Sequence, residues 1–309
     1  MNARNNTILA ILALAAVCLI WGTTYLALRI GVTDFPPFIF SAMRQITAGT
    51  ILIGIMLTFG KIKFPGWNVI FNQAVAGFFM FTMGNGLVGW AEVHVSSGLA
   101  AIVSSMVPIW IILLNMKVSQ DEKPNFPIVV GVLIGLSGII MIFGQHLSEF
   151  SNAAYQWGVG AMLLANISWA VGSVWIKKKN QDSNLFVNAG LQMLFGGLFM
   201  LPFSLVLDDY TQFQFTPAIA YSLIYLTLIG SIVAYICFTF AIKHLPMTIV
   251  SMYAYINPLV AVLLGWIILD EKFTLTIFIA MVITVAGVYL VNRGYQLRKE
   301  WKAQLAEEK

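Results

Sequence analysis

The sequence predicts an all-α membrane protein of ten transmembrane helices, folded as two inverted five-helix repeats with the N and C termini cytoplasmic. Three observations predict this. Of the 309 residues, 59% are apolar and only 10% charged, with a mean hydropathy of +0.85. A soluble chain averages about 25% charged residues, so this composition cannot build a water-facing shell. Apolar runs of about 20 residues, the length that crosses a bilayer, recur ten times, and the basic residues collect at alternate ends of those runs. Disordered, collagenous and disulfide-scaffold classes are excluded, and little chain is left for a soluble domain.

The runs cover residues 8–30, 37–59, 68–90, 96–116 and 127–144, then 157–176, 185–206, 217–242, 247–268 and 274–292. The first follows a lone Arg4 and contains an Ala13-Leu14-Ala15 triplet. Cleavage there would leave too short an apolar region for a signal peptide, so the run reads as an uncleaved first span. Polar or proline-bearing breaks separate the rest: Pro36-Pro37, Lys61 to Pro65, Asp121 to Pro127, Lys177 to Asn184, Asp208-Asp209 and Asp270 to Lys272. Only Glu92 to Ser96 remains for a tight turn between helices three and four. Cys18 and Cys237 lie inside apolar runs without metal-ligand spacing and read as small core residues.

Orientation follows from the basic residues, because those flanking a span stay cytoplasmic. Fourteen of the seventeen, among them Lys61, Lys63, Lys177, Lys178, Lys179, Lys243 and Arg293, lie at one set of helix ends. Arg29 and Lys272 lie at the other, and Arg44 lies inside a span. One helix more or fewer would exchange the sides of every later loop and destroy this segregation. The net charge of +4 and the pI of about 9.0 therefore reflect topology, and no nucleic-acid partner is expected. The tail over residues 293–309 reads as a basic cytoplasmic anchor for anionic headgroups, and membrane lipid is the expected partner.

The two halves repeat. An offset of 148 pairs Trp21 with Trp169, Phe38 with Phe186, Arg44 with Gln192 and Gly49 with Gly197. An offset of 150 pairs Trp90-Ala91 with Phe240-Ala241, His94 with His244 and Pro108 with Pro258; an offset of 149 pairs Asp121-Glu122-Lys123 with Asp270-Glu271-Lys272 and Gly138 with Gly287. Residues 1–144 and 157–292 are thus the expected repeats, joined by a linker over 145–156. Each has five spans, so the second enters the bilayer upside down. Inverted repeats are the basis of alternating access in secondary transporters.

Several of these residues carry a family likeness: Trp21-Gly22, Arg44 followed by Ala48, Ser97 to Pro108 (SGLAAIVSSMVP) running into Asp121-Glu122-Lys123, and the echo from Asn257-Pro258 to Asp270-Glu271-Lys272 and Gly287. On them the chain resembles, over essentially its whole length, the EamA-like branch of the drug/metabolite transporter superfamily. The resemblance implies a ten-helix exporter or permease for small metabolites, often amino acids. It also implies a central cavity lined by the first four helices of each unit, with helices five and ten peripheral.

Arg44 sits seven residues into helix two, about 10 Å from its outer end. A guanidinium at that depth must be paired or wetted. It either binds a substrate carboxylate or closes a gate, or is a structural arginine held by helix-end carbonyls. Glu92 stands near the end of helix three. A solvated interfacial place beside the turn is the favoured reading, with proton coupling of export as the functional alternative. His94 and His244 read as interfacial.

Trp21 and Tyr25 share a face of helix one, and Trp169 and Ser173 the matching face of helix six; Tyr253 and Asn257 share a face of helix nine. Asn85, Gly89 and Glu92 align on helix three, and Tyr235, Thr239 and Ile242 on helix eight. With Trp90 these positions form a candidate substrate wall suited to a small organic solute and poor for an inorganic ion. Any single Trp or Tyr is equally at home in a headgroup belt, where Trp67, Trp157 and Trp301 are placed.

Pro108 and Pro258 break helices four and nine at matching positions and are candidate hinges. Gly131, Gly135 and Gly138, with Ala280, Thr284 and Gly287, make a small-residue stripe that joins either the two halves or two protomers, leaving a homodimer open. Gly84 to Gly89 fits GxGxxG but lies in a span without a flanking strand, so no dinucleotide site follows. No metal, cofactor or catalytic residue is expected. The expected function is a secondary transporter of small amphipathic metabolites in the cytoplasmic (inner) membrane. A lipid-linked metabolite or multidrug flippase is the alternative within transport, and a membrane receptor or intramembrane enzyme the alternative outside it.

Overall fold

The computed structural model describes residues 3–59, 65–95, 97–118, 124–143, 152–179, 184–211, 214–269 and 274–307. Ten helices follow in order. They are α1 (Ala3–Val32), α2 (Pro37–Phe59), α3 (Trp67–His94), α4 in two pieces (Ser97–Ser104 and Val107–Val118), α5 (Phe126–Phe143), α6 (Ala153–Lys179), α7 (Leu185–Leu207), α8 (Pro217–His244), α9 in two pieces (Met247–Val250 and Tyr253–Leu269), and α10 (Leu275–Glu307). No strand occurs among the described residues. Among the described residues seven of the ten helices, all but α4, α5 and α9, hold a stretch long and apolar enough to cross a membrane, and α5 and α9 hold shorter apolar stretches at Phe126–Gly138 and Met247–Ala261. Lys61, Lys63, both Asp-Glu-Lys triplets, Lys309 and most of the expected linker lie outside the described residues.

Four boundaries differ from expectation by four residues or more, α1 already starting at Ala3, each because hydropathy marks where a span ends and not where a helix ends. Helix α3 continues through Glu92 to His94, so the tight turn begins later than expected. Helix α6 starts at Ala153, inside the expected linker. Helix α10 runs on to Glu307, because Gln, Leu, Arg, Lys and Ala favour helix and nothing after Asn292 breaks it. The basic tail is thus a continuation of the last helix, with Arg293 3.7 Å from Glu300.

Short connections make successive helices antiparallel. One face of the bundle, here the terminal face, gathers the start of α1 and the ends of α6 and α8. The opposite face gathers the ends of α1, α3 and α7 and the start of α2. Helices α2 and α7 pack along their lengths, as do α5 and α10. Helix α1 packs on α8 and α9, and α6 packs on α3 and α4. The small-residue stripe joins α5 to α10 within one chain. A methyl built on Gly131 would stand 2.7 Å from the Gly287 carbonyl oxygen, so only hydrogen lets the backbones meet.

Helices α3 and α8 each contain a stretch of π-helix, Phe78–Gly86 and Leu226–Val233. These lie 148 residues apart. The breaks in α4 and α9 fall at Ser105-Met106 and Ser251-Met252. The matching of the prolines is therefore not kept. Pro108 is the second residue after its break, where a missing N–H costs nothing, whereas Pro258 sits inside the second piece of α9.

Candidate substrate cavity

A cavity with an empty volume of about 740 Å³, space at its mouth included, opens among α1, α2, α3, α4, α6, α8 and α9. It lies from mid-depth toward the opposite face: Leu28, Val88 and Ser104 line its upper part, Trp21, Trp169, Tyr235 and Tyr253 its floor.

The floor is aromatic. The Trp21 ring lies 4.9 Å from Tyr253, 5.0 Å from Phe238 and 5.4 Å from Trp169 between centroids. Its indole N–H donates to the Gly230 carbonyl at 3.1 Å. That carbonyl belongs to the π stretch of α8, whose wide turn breaks the usual hydrogen-bond ladder and presents backbone to a side chain. Toward the terminal face Phe238, Ile242, Leu245, Met247 and Val250 are buried in one hydrophobic cluster that seals that side.

Arg44 supplies the cation. It is 6% exposed, and its Nε donates to Ser231 Oγ at 2.8 Å. Among the described residues this is its one hydrogen bond, so no helix-end carbonyl holds it and its terminal nitrogens remain available to the cavity it lines. Gln192, its partner at an offset of 148, is satisfied within the protein. It donates to the Gln73 amide oxygen and accepts from the Tyr235 hydroxyl. Asn166 donates to the Val103 carbonyl at 2.7 Å, which also accepts from the Met106 backbone N–H at 3.1 Å in the break of α4. Tyr25 faces Ser104 and Asn257.

The cavity thus brings together Trp21, Tyr25, Arg44, Asn85, Trp169, Tyr235, Tyr253 and Asn257. Trp90 and Ser173 lie outside its lining: Trp90 meets His94 edge-on at 4.6 Å between centroids, and Ser173 is fully buried. Gly89, Thr239 and Ile242 also fall away. Gly89 packs on Ser41 and Pro37, Thr239 bonds back to the Tyr235 carbonyl at 2.9 Å, and Ile242 sits in the seal. The π stretches explain this, because a face drawn at 3.6 residues per turn does not carry through a wider turn. Thr24, Ser104, Asn166, Gly230 and Ser231 line the cavity unforeseen. Of these only Asn166 had a sequence signal, an amide in the middle of a span.

Glu92 corrects an expectation. It is 0% exposed, and among the described residues neither carboxylate oxygen has a hydrogen-bond partner. The longer α3 carries it inside the bundle, away from the solvated turn. Trp67, Trp157 and Trp301 are exposed, and His94 and His244 half-buried.

The EamA-like transporter family model matches residues 8–144 and again 156–293. The chain belongs to the EamA-like transporter family. It is 33% identical over 293 residues to the uncharacterized inner membrane transporter YedA of Escherichia coli (strain K12), covering 92% of this chain and 91% of that one. It is 22% identical to the uncharacterized transporter YoaV of Bacillus subtilis (strain 168), covering 93% and 98%. A solved structure, described only as the crystal structure of a protein, superposes with a TM-score of 0.75 over 95% of this chain and 99% of that one. At 18% identity it shows a shared fold. This EamA-like chain is therefore a multi-pass membrane protein of a transporter family.

Proposed function

We propose that this chain is a secondary active transporter of the cytoplasmic (inner) membrane. It carries small amphipathic metabolites that bear a carboxylate, amino acids and their relatives among them, by alternating access of two inverted units, residues 1–144 and 157–292. The observation that carries the substrate class is Arg44: a buried guanidinium, anchored by one hydrogen bond, at the edge of an aromatic cavity. A carboxylate would pair with its open nitrogens, and the rings of Trp21, Trp169 and Tyr253 would take the apolar body.

The packing supports the inverted arrangement. Exchanging α1 with α6, α3 with α8 and α4 with α9 turns the contacts of α1 into those of α6, and α2–α7 and α5–α10 exchange within themselves. The two π stretches keep the same offset of 148 as the sequence repeat. Lys177, Lys178, Lys179 and Lys243 lie at the terminal face, which the positive-inside rule puts in the cytoplasm. The cavity then lies on the outward side of the molecule.

The purified protein in liposomes tests this with three probes that differ in charge: phenylacetate, L-phenylalanine and phenethylamine. Flux of the carboxylate-bearing probes, with phenethylamine left behind, is expected. Arg44→Lys keeps the charge but loses the planar fork, and should lower flux about tenfold. Preference for phenethylamine, or unchanged flux in Arg44→Lys, rejects carboxylate recognition; no flux of any probe rejects the substrate class.

A further inference from the structure

The ends of α3 and α8 are built alike. Each closes on a residue with extended backbone, Val95 (φ −127°, ψ 156°) and Leu245 (φ −118°, ψ 157°). Each carries an aromatic–histidine contact, Trp90 edge-on to His94 and Phe240 tilted against His244 at 4.3 Å. Each also meets a basic residue from the end of another helix: Arg29 of α1 reaches Val95, and Lys177 of α6 reaches Leu245. Arg29 and Lys177 are 148 residues apart, Val95 and Leu245 are 150 apart, and the two contacts lie on opposite faces of the bundle.

The contacts are not equally made. Lys177 Nζ donates to the carbonyls of Ile242 and Leu245 at 2.5 and 2.8 Å, closing the sealed face. Among the described residues Arg29 Nη1 reaches the Val95 carbonyl alone, at 3.4 Å, on the face toward which the cavity lies. A cation on the free carbonyls of a helix C-terminus is favourable from both the hydrogen bonds and the dipole. One such contact is therefore engaged and its counterpart slack. The position that matches Ile242 is Glu92, buried, without a hydrogen-bond partner among the described residues, and in the field of Arg29.

We propose that Arg29 and Lys177 are alternating latches of the two gates. Glu92 is the carboxylate on which Arg29 closes when the opposite-face gate shuts. This rests on the alternating-access reading above. In the present state Lys177 is engaged and Arg29 released; in the other the roles exchange, and Arg29 gains an ion pair with Glu92. The Arg29 latch is thus sensitive to acid, because protonated Glu92 cannot pair. The other groups facing Glu92 are Tyr25 on α1 and Arg44 on α2; Tyr155 of α6 packs in one cluster with Ala91 and Val95 on either side of Glu92, and the first piece of α4 brings no charged residue.

Spin-label distances in the full-length protein in nanodiscs test this, with Cys18 and Cys237 replaced by alanine. One pair, at Thr33 and Val93, reports the opposite face; the other, at Lys178 and Lys243, reports the terminal face. Lys177→Met should shift the populations about tenfold toward an open terminal face and a closed opposite face, and Arg29→Met about tenfold the other way. Lys177→Arg should keep the original balance, which separates a lost latch from a damaged fold. Acid should open the opposite face, and Glu92→Gln should abolish that response. Shifts in the same direction for Lys177→Met and Arg29→Met, no shift in either, or a pH response that survives Glu92→Gln overturns the proposal. Liposome flux with unmoved distances would sink the latches and leave the transport reading standing; alternating distances without flux would do the reverse.

Discussion

Asp208, at the end of α7, caps the start of α2: its carboxylate accepts from the Ile39 backbone N–H at 2.8 Å and from that of Phe38 at 3.0 Å. Helix α2 begins at Pro36-Pro37 and has no capping side chain of its own, so the cap comes from the helix it packs against. Ser204 holds the carboxylate at 2.5 Å and is itself bonded to Tyr210. The terminal end of the pair is built differently, for α7 is capped by its own Asn184.

Asp208→Ala should therefore destabilise the protein by about 1–2 kcal/mol, the usual worth of a helix cap. Asp208→Asn, which keeps one acceptor, should lose about half of that. Asp209→Ala is the control: Asp209 is exposed, bonds only Thr211, and should be worth no more than about 0.5 kcal/mol. Thermal unfolding in detergent reads all three. Equal melting of the Asp208 and Asp209 variants would remove the cross-helix cap.

The α2–α7 interface makes a second prediction from one helix. A methyl on Gly49 would stand 2.6 Å from the Gly190 carbonyl oxygen and from the Leu194 nitrogen, both backbone atoms that cannot step aside. Gly54, farther along and exposed, has nothing within 4 Å. Gly49→Ala should destabilise by about 1–3 kcal/mol through overpacking. Gly54→Ala should be neutral or stabilise by up to about 1 kcal/mol, because alanine is the better helix former. Opposite shifts in melting temperature are expected; a loss at Gly54 matching that at Gly49 would mean that helix propensity was misjudged and that close approach is not the cause.

The spans and the cation of the cavity were legible in the sequence because both are set by the bilayer. Ten apolar stretches had to be ten helices, and Arg44 inside a span had to find a polar interior. What was hidden depends on backbone geometry without a compositional mark. Phe78–Gly86 and Leu226–Val233 read as ordinary helix, yet their π turns bring Gly230 and Ser231 to the cavity and rotate Gly89 and Thr239 away from it. Glu92 looked solvated because hydropathy ended α3 too early. The candidate hinges Pro108 and Pro258 are helix breakers by residue type, whereas α4 and α9 break at Ser105-Met106 and Ser251-Met252. Serine and methionine there give no warning.

Tyr235 tests the buried polar chain beside the cavity. Its hydroxyl donates to the Gln192 amide oxygen, and Gln192 donates in turn to Gln73; all three side chains are at most 1% exposed. Tyr235→Phe keeps the ring but leaves a buried acceptor unsatisfied, which costs about 1–3 kcal/mol. The double variant Tyr235→Phe with Gln192→Leu removes the orphaned amide oxygen and its hydroxyl donor together but also the Gln192 donor to Gln73, so it should melt below Tyr235→Phe yet above the sum of the two single changes. A double variant that melts as low as the sum of the single changes would show that the groups act independently.

Ser231 offers the last prediction, because it bonds Arg44 without belonging to the guanidinium's open edge. Its Oγ takes Nε at 2.8 Å and thereby fixes the plane of the fork, leaving the terminal nitrogens toward the cavity. Ser231→Ala removes that constraint and leaves the charge in place. If Arg44 binds carboxylates, the loss falls on affinity: KM for phenylacetate should rise about fivefold to tenfold, the worth of one hydrogen bond to a charged group, with maximal flux nearly kept. Ser231→Thr retains the hydroxyl and should rescue most of it. A fall in maximal flux with KM unchanged would mean that the bond serves the conformational cycle, and Arg44 would then hold α2 to α8 instead of reading the substrate.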